Sequence, residues 1–574
     1  MAIDAQIDMN ETFRKKKEKK IIRTKLTDAD PFPHYVFEDF LNNADVVGGI
    51  RAELIGLDAD MWKPKVNDLY SLDQTRDLAM LTSDFPGNYS NIEGFIAFLK
   101  GTFSSYLGGI TGTQLSSEQL TVTGTQLSSE QLTVTGSAYK HTHNLLLHDD
   151  RVANRKFAFV YYLCEEFLEE DGGQLQLYNV NDSGEPDDVA RTLFPKKNQL
   201  VVFEVSDKSW HRVAEVLSES KIRHSINGWF HVDAYPKHEA IPFVDPLNVR
   251  QRIADAVGED EAEFKKLRIN GRYLADEFVD QVRVACMRNS VLRLDNFFND
   301  SPFLEGLMKQ LNELEFTITG PPHKRNFGVL DENAVEEGTP AHKLLRTVRS
   351  EILTLFLERW TGTQFNGHED VNYGKRAKEA TGTSWEKVKS AYEAEDFDYS
   401  NIEVVAGFRK YSAGCYTVMD DQLAQGNPEE NVVDFRIFLS NDWDSTERKE
   451  SDHVTGPGGF LAYYAPEAVD AAFLHNPLHN QAIVVYRQAD LMSFVKYINS
   501  RAGENSYYAL ECSYYGVKKG FNVAPLGSDK RNEEWVYEED EVEEEAAPKK
   551  RNLKRRKGAK SSLGKKKSKL KKRA

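Results

Sequence analysis

The sequence has few cysteines, and they are widely separated. The 574-residue chain contains four, Cys164, Cys286, Cys415 and Cys512, and no two stand at a short paired spacing. Disulfide-stabilised domains are rich in cysteine and belong mainly to oxidising compartments. The sequence therefore argues against a disulfide scaffold and against a zinc centre built from thiolates, and it favours a reducing compartment.

Long apolar stretches are also missing. No run approaches the roughly 20 apolar residues that a membrane-spanning helix needs, so no membrane association is expected. Residues 1–20 are polar and then basic, ending in RKKKEKK, and they hold no apolar segment of the kind found in secretion signals. A chain of 574 residues exceeds what one hydrophobic core usually supports, so two domains are expected.

Basic charge is scarce outside the C-terminal end. The chain has 73 Lys and Arg against 90 Asp and Glu, a net charge of −17. Residues 549–574 hold fifteen of the basic residues and no acid, which leaves 58 basic against 90 acidic residues, or −32, for the rest. Such an acidic body repels nucleic acid and suits a basic protein partner, so no direct nucleic-acid binding is expected.

A faint internal repeat indicates two related domains. DFLNN at 39–43 resembles NFFND at 296–300, and NQLVVF from Asn198 resembles NQ-IVVY from Asn480. These matches occur in the same order in both halves. They predict one domain over 28–240, a linker over 241–264 and a second domain over 265–520.

Charged segments flank these domains. Residues 1–27 are expected to form a disordered basic tail, and residues 521–574 a disordered tail that is first acidic and then basic. The dense basic clusters after Lys549 favour nuclear targeting, with a solubilising tail as the alternative. The expected localisation is the nucleus and the cytoplasm.

The first domain is expected to be mainly β with flanking helices, an α+β arrangement. Helical periodicity occurs over 45–57, whereas four later segments are rich in aromatic and β-branched residues: 157–163, 174–180, 199–205 and 222–232. Several short strands in one block favour a sandwich or a jelly roll. TGTQLSSEQLTV occurs twice, at 111–122 and 123–134, which indicates a surface loop or edge strand lengthened by duplication.

A metal site is predicted from one histidine–carboxylate motif. His148 and Asp150 follow the apolar segment 144–147, and residues two apart on an extended backbone share a face. His211, 61 residues after Asp150, follows a strong strand pattern and offers a third ligand. Two histidines and a carboxylate on one face of octahedral iron leave positions for 2-oxoglutarate and O2.

An anion-binding group follows at a suitable place. Arg223, twelve residues after His211, offers a planar fork for the distal carboxylate of 2-oxoglutarate. Ser225, on the same face, and Tyr162, on another strand, offer hydroxyl donors. The sequence therefore predicts a catalytic set of His148, Asp150, His211 and Arg223, with the cosubstrate bound by Arg223, Tyr162 and Ser225.

A second copy of the pattern shows that the spacing alone is weak evidence. His368 and Asp370 are followed by His475, and by Arg487 twelve residues later. However, His368 follows a turn-like Asn-Gly, no strand precedes it, and 105 residues separate Asp370 from His475. The first set is therefore preferred as the metal site.

A family resemblance extends these observations. LLLHDD (145–150), FEVSDKSWHRVAEVLSE (203–219) and RHSINGWFH (223–231) resemble the eukaryotic prolyl hydroxylases that act on the decoding-centre protein of the small ribosomal subunit. The resemblance continues through GCYT (414–417) and VVYRQADLMSFVKYIN (484–499), and it covers most of residues 30–520. It implies tandem double-stranded β-helix domains, of which only the first is catalytic.

The resemblance also implies the cofactors and the roles of residues. It makes His148, Asp150 and His211 the ligands of Fe(II), and Arg223 and Tyr162 the partners of 2-oxoglutarate, with O2 as the second cosubstrate and ascorbate supporting activity. Superposing the internal repeat puts other residues at these positions of the second domain: Asp420, Asp421 and Gln422 at the first motif, Phe494 or Val495 at the second histidine, and about Tyr508 at the arginine.

The resemblance implies hydroxylation of a prolyl residue in a small-subunit ribosomal protein, with an effect on translation. One alternative is a non-enzymatic adaptor in translation or stress response, suggested by the charged tails and the degenerate second domain. Another is a 2-oxoglutarate oxygenase with a different substrate, either another protein or a nucleic-acid base. The acidic body disfavours the base, because nucleic-acid binders usually present a basic face.

Overall fold

The structure is a computed structural model that describes residues 7–113, 132–232, 245–253, 268–365, 402–419, 430–443 and 456–517, except for 153, 300, 301, 364, 466, 467, 469, 470 and 490. Within these ranges no helix combines the length and the apolar character that crossing a bilayer requires. The predicted second metal set is only partly covered, because His368 and Asp370 lie outside the described residues, as do Asp420–Gln422 and the tail from 521 onward.

The strands of the first half form one curled antiparallel sheet. In chain order they are β1 (His34–Phe37), β2 (Trp62–Val66), β3 (Tyr70–Thr75), β4 (Leu132–Tyr139), β5 (Asn144–His148), β6 (Arg155–Tyr162), β7 (Leu175–Val180), β8 (Pro186–Leu193), β9 (Leu200–Glu204), β10 (His211–Val213) and β11 (Arg223–His231). Their spatial order is β1-β9-β6-β11-β4-β3-β5-β10-β7-β8, with β2 beside β3. Neighbours that are distant in sequence are typical of a jelly roll, as predicted.

Helices cover one face of this sheet and leave the other face to line an interior. They are α1 (Glu11–Arg14), α2 (Lys16–Thr27), α3 (Ala44–Ile55), α4 (Leu78–Asp84), α5 (Ser90–Phe98) and α6 (Ser104–Thr111). Alternate residues of β6 point to opposite faces: Phe159 and Tyr161 pack against the helices, whereas Ala158 and Tyr162 face the interior. Because side chains alternate along the strand, one face of the sheet packs in the helix-covered core and the other face lines the interior.

The expectation of a disordered tail over residues 1–27 is wrong for its described part. Helix α2 buries Ile22 and Leu26, and Phe13 of α1 meets Phe37 edge to face, with ring centroids 5.1 Å apart. These apolar residues are few among many lysines, so the segment resembles a solvated tail in composition. Its charged side chains occupy the exposed face, and its apolar stripe joins the main core.

We expect Ile22→Ala to lower the free energy of unfolding by about 2–4 kcal/mol, since it removes a fully buried aliphatic side chain from a packed core. Chemical denaturation of the full chain measures this. Lys20→Ala, on the exposed face of the same helix, is the control and should be nearly neutral. Equal, negligible effects of both substitutions would contradict the packing of α2.

The second half repeats the first with the same strand order. Its strands are β12 (Gln251–Arg252), β13 (Val291–Asp295), β14 (Phe316–Thr319), β15 (Arg325–Leu330), β16 (Glu403–Tyr411), β17 (Tyr416–Thr417), β18 (Val432–Ser440), β19 (Leu461–Tyr464), β20 (Phe473–His475), β21 (Gln481–Arg487), β22 (Met492–Val495) and β23 (Tyr507–Tyr515). The main sheet has the order β13-β21-β18-β23-β16-β15, with β17 beside β15. This order corresponds strand by strand to β1-β9-β6-β11-β4-β3, with β5 beside β3, in the first half. A separate sheet, β20-β19-β22, corresponds to β8-β7-β10.

In the described residues of the second half, four helices accompany the sheet, namely α7 (Asp276–Asn289), α8 (Pro302–Glu313), α9 (Pro340–Val348) and α10 (Glu351–Thr361). They enclose a core that includes Leu307, Leu357 and Trp360. Part of the predicted linker, residues 245–253, also belongs to this half. Strand β12 pairs with β16, and Asp245 forms a buried ion pair with Arg325 at 2.9 Å, so a linker over the whole of 241–264 is wrong.

Part of the duplicated segment belongs to a strand. Residues 114–131 lie outside the described part, but the end of the second copy, residues 132–134, forms the beginning of β4. These residues pair with β11 on one side, whereas the pairing of β4 with β3 is at Ser137 and Ala138. An edge strand therefore agrees with residues 132–134, and the expectation for residues 114–131 stays a prediction.

Candidate active site

Two strands bring the predicted metal ligands together. His148 is the last residue of β5 and His211 the first of β10, and the two residues are direct partners in the antiparallel pairing. The Nε2 atoms of His148 and His211 lie 3.7 Å and 3.5 Å from the carboxylate oxygens of Asp150. The three ligand atoms all lie within 4.8 Å of one another, which is the arrangement that a single ion requires.

Asp150 reaches this point by a route that strand geometry does not give. Strand β5 ends at His148, and Asp150 adopts a φ of 64°, so the two residues do not share one face of an extended strand. Aspartate tolerates this left-handed conformation better than most residues do. The predicted convergence of His148 and Asp150 is present, but a turn in the chain produces it.

Backbone carbonyls orient both imidazole rings. The Nδ1 atom of His148 lies 2.8 Å from the carbonyl oxygen of Leu146, and that of His211 lies 2.7 Å from the carbonyl oxygen of Ser209. Donation from Nδ1 leaves each Nε2 lone pair directed towards Asp150. Burial, together with the neighbouring His148, lowers the pKa of His211 to about 4, so its ring is neutral, as a metal ligand must be.

Two further side chains hold the carboxylate. Trp229 donates from Nε1 to Asp150 at 2.9 Å, and Arg155 donates to the other carboxylate oxygen at 3.3 Å while its guanidinium lies 3.6 Å from a Trp229 ring centroid. Burial by itself would raise the pKa of Asp150, but the two histidines and Arg155 lower it, so the carboxylate is ionised. Sequence reasoning missed both residues, although Trp229 has the same strand parity as Arg223.

The predicted cosubstrate residues form a buried cationic pocket. Arg223 is only 1% exposed, and its guanidinium donates to the Tyr162 hydroxyl at 3.1 Å. Ser225 is equally buried and pairs with Tyr162 across β11 and β6. Among the described residues Arg223 has no acidic partner, and its Nε atom is buried without a hydrogen bond. A buried guanidinium in this state fits the carboxylate of a ligand.

Strand β4 adds two side chains that the sequence did not point to. Tyr139 lies beneath the Arg223 guanidinium, 4.8 Å from it, and burial raises the pKa of this phenol to about 12. The Ser137 hydroxyl is buried and, among the described residues, has no hydrogen-bond partner. Period-two spacing along β4 could have identified both, but only with knowledge that β4 pairs with β11.

The metal ligands and the cationic pocket open into one cavity of about 1790 Å³. Most of its wall comes from the first sheet. Five residues of the second half complete it: His323, Lys324, Val418, Met419 and Met492. The cavity is therefore a joint feature of both halves, while the predicted ligands come from the first half alone.

Two family models match the chain. The model described as 2OG-Fe(II) oxygenase superfamily matches residues 134–231, and the one described as Oxoglutarate and iron-dependent oxygenase degradation C-term matches 260–520. The prolyl 3-hydroxylase OGFOD1 of Xenopus laevis is 30% identical over 483 residues, which are 83% of this chain and 84% of that protein. The chain belongs to this prolyl 3-hydroxylase family.

A second curated relative and a solved structure are also similar to parts of the chain. The prolyl 3-hydroxylase OGFOD1 of Mus musculus is 27% identical, over 83% of this chain and 86% of that protein. A crystal structure of a Pseudomonas putida prolyl-4-hydroxylase is 21% identical, covers 37% of this chain and 98% of its own, and superposes with a TM-score of 0.28. Membership in the oxygenase superfamily means Fe(II), 2-oxoglutarate and O2, for which the three ligands and Arg223 are suited.

The second half of the chain has a serine at the position that corresponds to the second histidine. Strands β7 and β19 each begin two residues after a Gly-Gly pair, and aligning them at these pairs places Leu177 opposite Tyr463. Leu177 pairs with His211, and Tyr463 pairs with Ser493. Ser493 therefore corresponds to His211. The predicted correspondence to Phe494 or Val495 is wrong by one or two residues, because sequence matching alone does not fix a strand register.

The cationic pocket is also absent from the described part of the second half. Tyr507, the first residue of β23, corresponds to Arg223, so the prediction of about Tyr508 is off by one. Phe438 takes the place of Tyr162. Phe438 and Tyr507 both belong to a buried apolar cluster in the interior of the second half. The position of the buried Arg223 guanidinium in the first half is thus packed with aromatic rings in the second.

The second predicted metal set does not reproduce the first in its described members. His475 is buried in β20 against Phe438, with ring centroids 5.0 Å apart. Arg487 pairs with the buried carboxylate of Asp434 at 2.8 Å, and Ser513 donates to the same carboxylate at 2.8 Å. The arginine is thus used in an internal ion pair, which agrees with the preference for the first set.

We expect Arg223→Met to weaken 2-oxoglutarate binding by about 10- to 100-fold, since a hydrogen-bonded charge contributes about 1.5–3 kcal/mol. Isothermal titration in the presence of Mn(II) and without O2 measures the affinity. Arg191→Met, at an exposed position of β8, is the control and should leave the affinity unchanged. Wild-type affinity in Arg223→Met would contradict the assignment of this pocket to the cosubstrate.

Proposed function

We propose that this chain hydroxylates a prolyl residue of a small-subunit ribosomal protein, with Fe(II), 2-oxoglutarate and O2, and with ascorbate supporting the activity. One observation supports this proposal most strongly. The two histidines and one carboxylate of the predicted metal set line the same cavity as the buried guanidinium of Arg223. The relatives are named prolyl 3-hydroxylases, which points to a prolyl residue as the acceptor.

The chemistry follows from what each group holds. Iron with bound 2-oxoglutarate supplies oxidative decarboxylation, which yields succinate and carbon dioxide and adds one oxygen atom of O2 to a C–H bond. His148, Asp150 and His211 would hold the metal, and a set of three protein ligands leaves coordination positions for the cosubstrates. Arg223 and Tyr162 would fix the distal carboxylate of 2-oxoglutarate.

Charge supports a basic protein as the substrate. Without residues 549–574 the chain has a net charge of −32, and opposite charge accelerates the encounter with a basic partner. Ribosomal proteins that contact RNA are basic for the same electrostatic reason. We further infer a division of labour in which residues 28–240 carry the chemistry and residues 265–520 are non-catalytic. The nucleus and the cytoplasm, where such substrates are made and assembled, are the proposed localisation.

We expect the purified chain to add 16 Da to a proline-containing peptide from a small-subunit ribosomal protein and to form succinate stoichiometrically. Asp150→Ala should abolish both products, because the metal loses its only carboxylate ligand. Mass spectrometry of the peptide and an assay for succinate measure the two outcomes.

Asp149→Ala is the matched control, since the Asp149 side chain pairs with Arg151 at 2.7 Å rather than with the metal set. It should retain most of the activity. Succinate formation without a modified ribosomal peptide would overturn the substrate, and full turnover by Asp150→Ala would overturn the site. An Asp150→Ala protein that restores the phenotype of a deletion strain would favour the adaptor.

A further inference from the structure

One short segment of the second half contacts chain segments next to both strands that carry the histidine ligands. The segment runs from Lys496 to Ser500, directly after β22. It contacts the turn before β3 on one side and the chain beyond β10 on the other. Neither contact involves the metal ligands themselves.

The first contact is a buried lysine. Lys496 is 4% exposed, and its ammonium donates to the carbonyl oxygens of Asn67 at 2.6 Å and Tyr70 at 3.0 Å. The Asn67 side chain closes the same turn by accepting from the backbone N–H groups of Leu69 and Tyr70. An ammonium group is buried only at a cost, so two short bonds to one turn indicate a specific attachment.

The turn leads directly to the first histidine. The carbonyl oxygen of Leu69 accepts from the backbone N–H of Leu146 at 2.8 Å, and the carbonyl oxygen of Leu146 accepts from Nδ1 of His148. Leu146 is buried beside Tyr416 and Val418 of the second half. A continuous chain of hydrogen bonds and apolar contacts thus links Lys496 to the ring of His148.

The second contact reaches the other histidine strand. Glu215 lies two residues beyond β10, and its carboxylate accepts from the Tyr497 hydroxyl at 3.2 Å and from the backbone N–H of Ser500 at 2.8 Å. Its own carbonyl oxygen accepts from Gly173 at 2.9 Å, just before β7. The chain that continues from His211 is therefore fixed to the same segment as the turn behind His148.

We infer that Lys496 is a positioning residue for the iron site, and that the non-catalytic half acts as a clamp that keeps β5 and β10 in the geometry for metal binding. This inference rests on the site assigned under the proposed function. Supports outside the ligand set orient the ligands, and their loss weakens metal binding even when every ligand is present. Removal of the ammonium leaves two carbonyl oxygens of the turn without their charged donor.

The test is the affinity of the full chain for Mn(II) alone, measured from the electron paramagnetic resonance signal of the free ion. We expect Lys496→Met to weaken Mn(II) binding by about tenfold, as for other residues that support metal ligands. Lys496→Arg, which keeps the charge and the donors, should retain most of the affinity. Lys309→Met is the matched control, because Lys309 is an exposed residue of α8 in the same half, and it should bind Mn(II) as the wild type does.

A merely structural role gives a different result. If Lys496→Met lowers the melting temperature but binds Mn(II) with wild-type affinity, the positioning role is overturned. If Lys496→Met does not fold, Glu215→Gln replaces it: this variant should bind Mn(II) more weakly than the wild type, and unchanged binding overturns the clamp.

The result is independent of the substrate. If the wild-type chain binds one Mn(II) ion but hydroxylates no ribosomal peptide, the proposed substrate is overturned. The clamp is still supported if Lys496→Met binds Mn(II) less tightly than this wild-type chain. An active wild-type chain whose Lys496→Met variant keeps full Mn(II) affinity overturns the clamp and leaves the proposed function standing.

Discussion

The antiparallel register between β5 and β10 places His211 directly opposite His148, and the rest of the site depends on that register. A shift of one residue would turn each side chain to the other face of the sheet, so the two rings would no longer meet. The Ser209 hydroxyl helps to fix the register, because it donates to the carbonyl oxygen of Asp149 at 2.8 Å and so ties the beginning of β10 to the end of β5. Asp150 then completes the set through a turn.

The two halves show how one strand order serves two purposes. Both sheets have corresponding strands in corresponding places, and both have buried interiors. In the first half the interior keeps an Arg223 Nε atom and a Ser137 hydroxyl that have no hydrogen bond among the described residues, which is unfavourable unless a ligand binds. In the second half Arg487 and Asp434 form an internal ion pair, and the rings of Phe438 and Tyr507 pack at the positions of Tyr162 and Arg223.

Prediction from the sequence succeeded where a local pattern determines the structure. The strand patterns around Tyr162 and Arg223 and the helical pattern over 45–57 correspond to β6, β11 and α3, because period two and period 3.6 are properties of single segments. Prediction was wrong where contacts with distant segments determine the local structure. The lysine-rich residues 16–27 are helical because the core accepts Ile22 and Leu26.

The sequence by itself determined the identity of the site: His148, Asp150, His211 and Arg223 could be named from spacing, strand parity and a family resemblance. It also predicted that the second half has other residues at the positions of this set, as Ser493 and Tyr507 show for two of them. Only the tertiary structure decided how Asp150 reaches the histidines, that Trp229 and Arg155 hold it, and that Lys496 supports the turn behind β5 from 426 residues away. The physical reason is that ligand chemistry is a property of side chains in local sequence, whereas hydrogen-bond partners and register between distant segments exist only after the chain has folded.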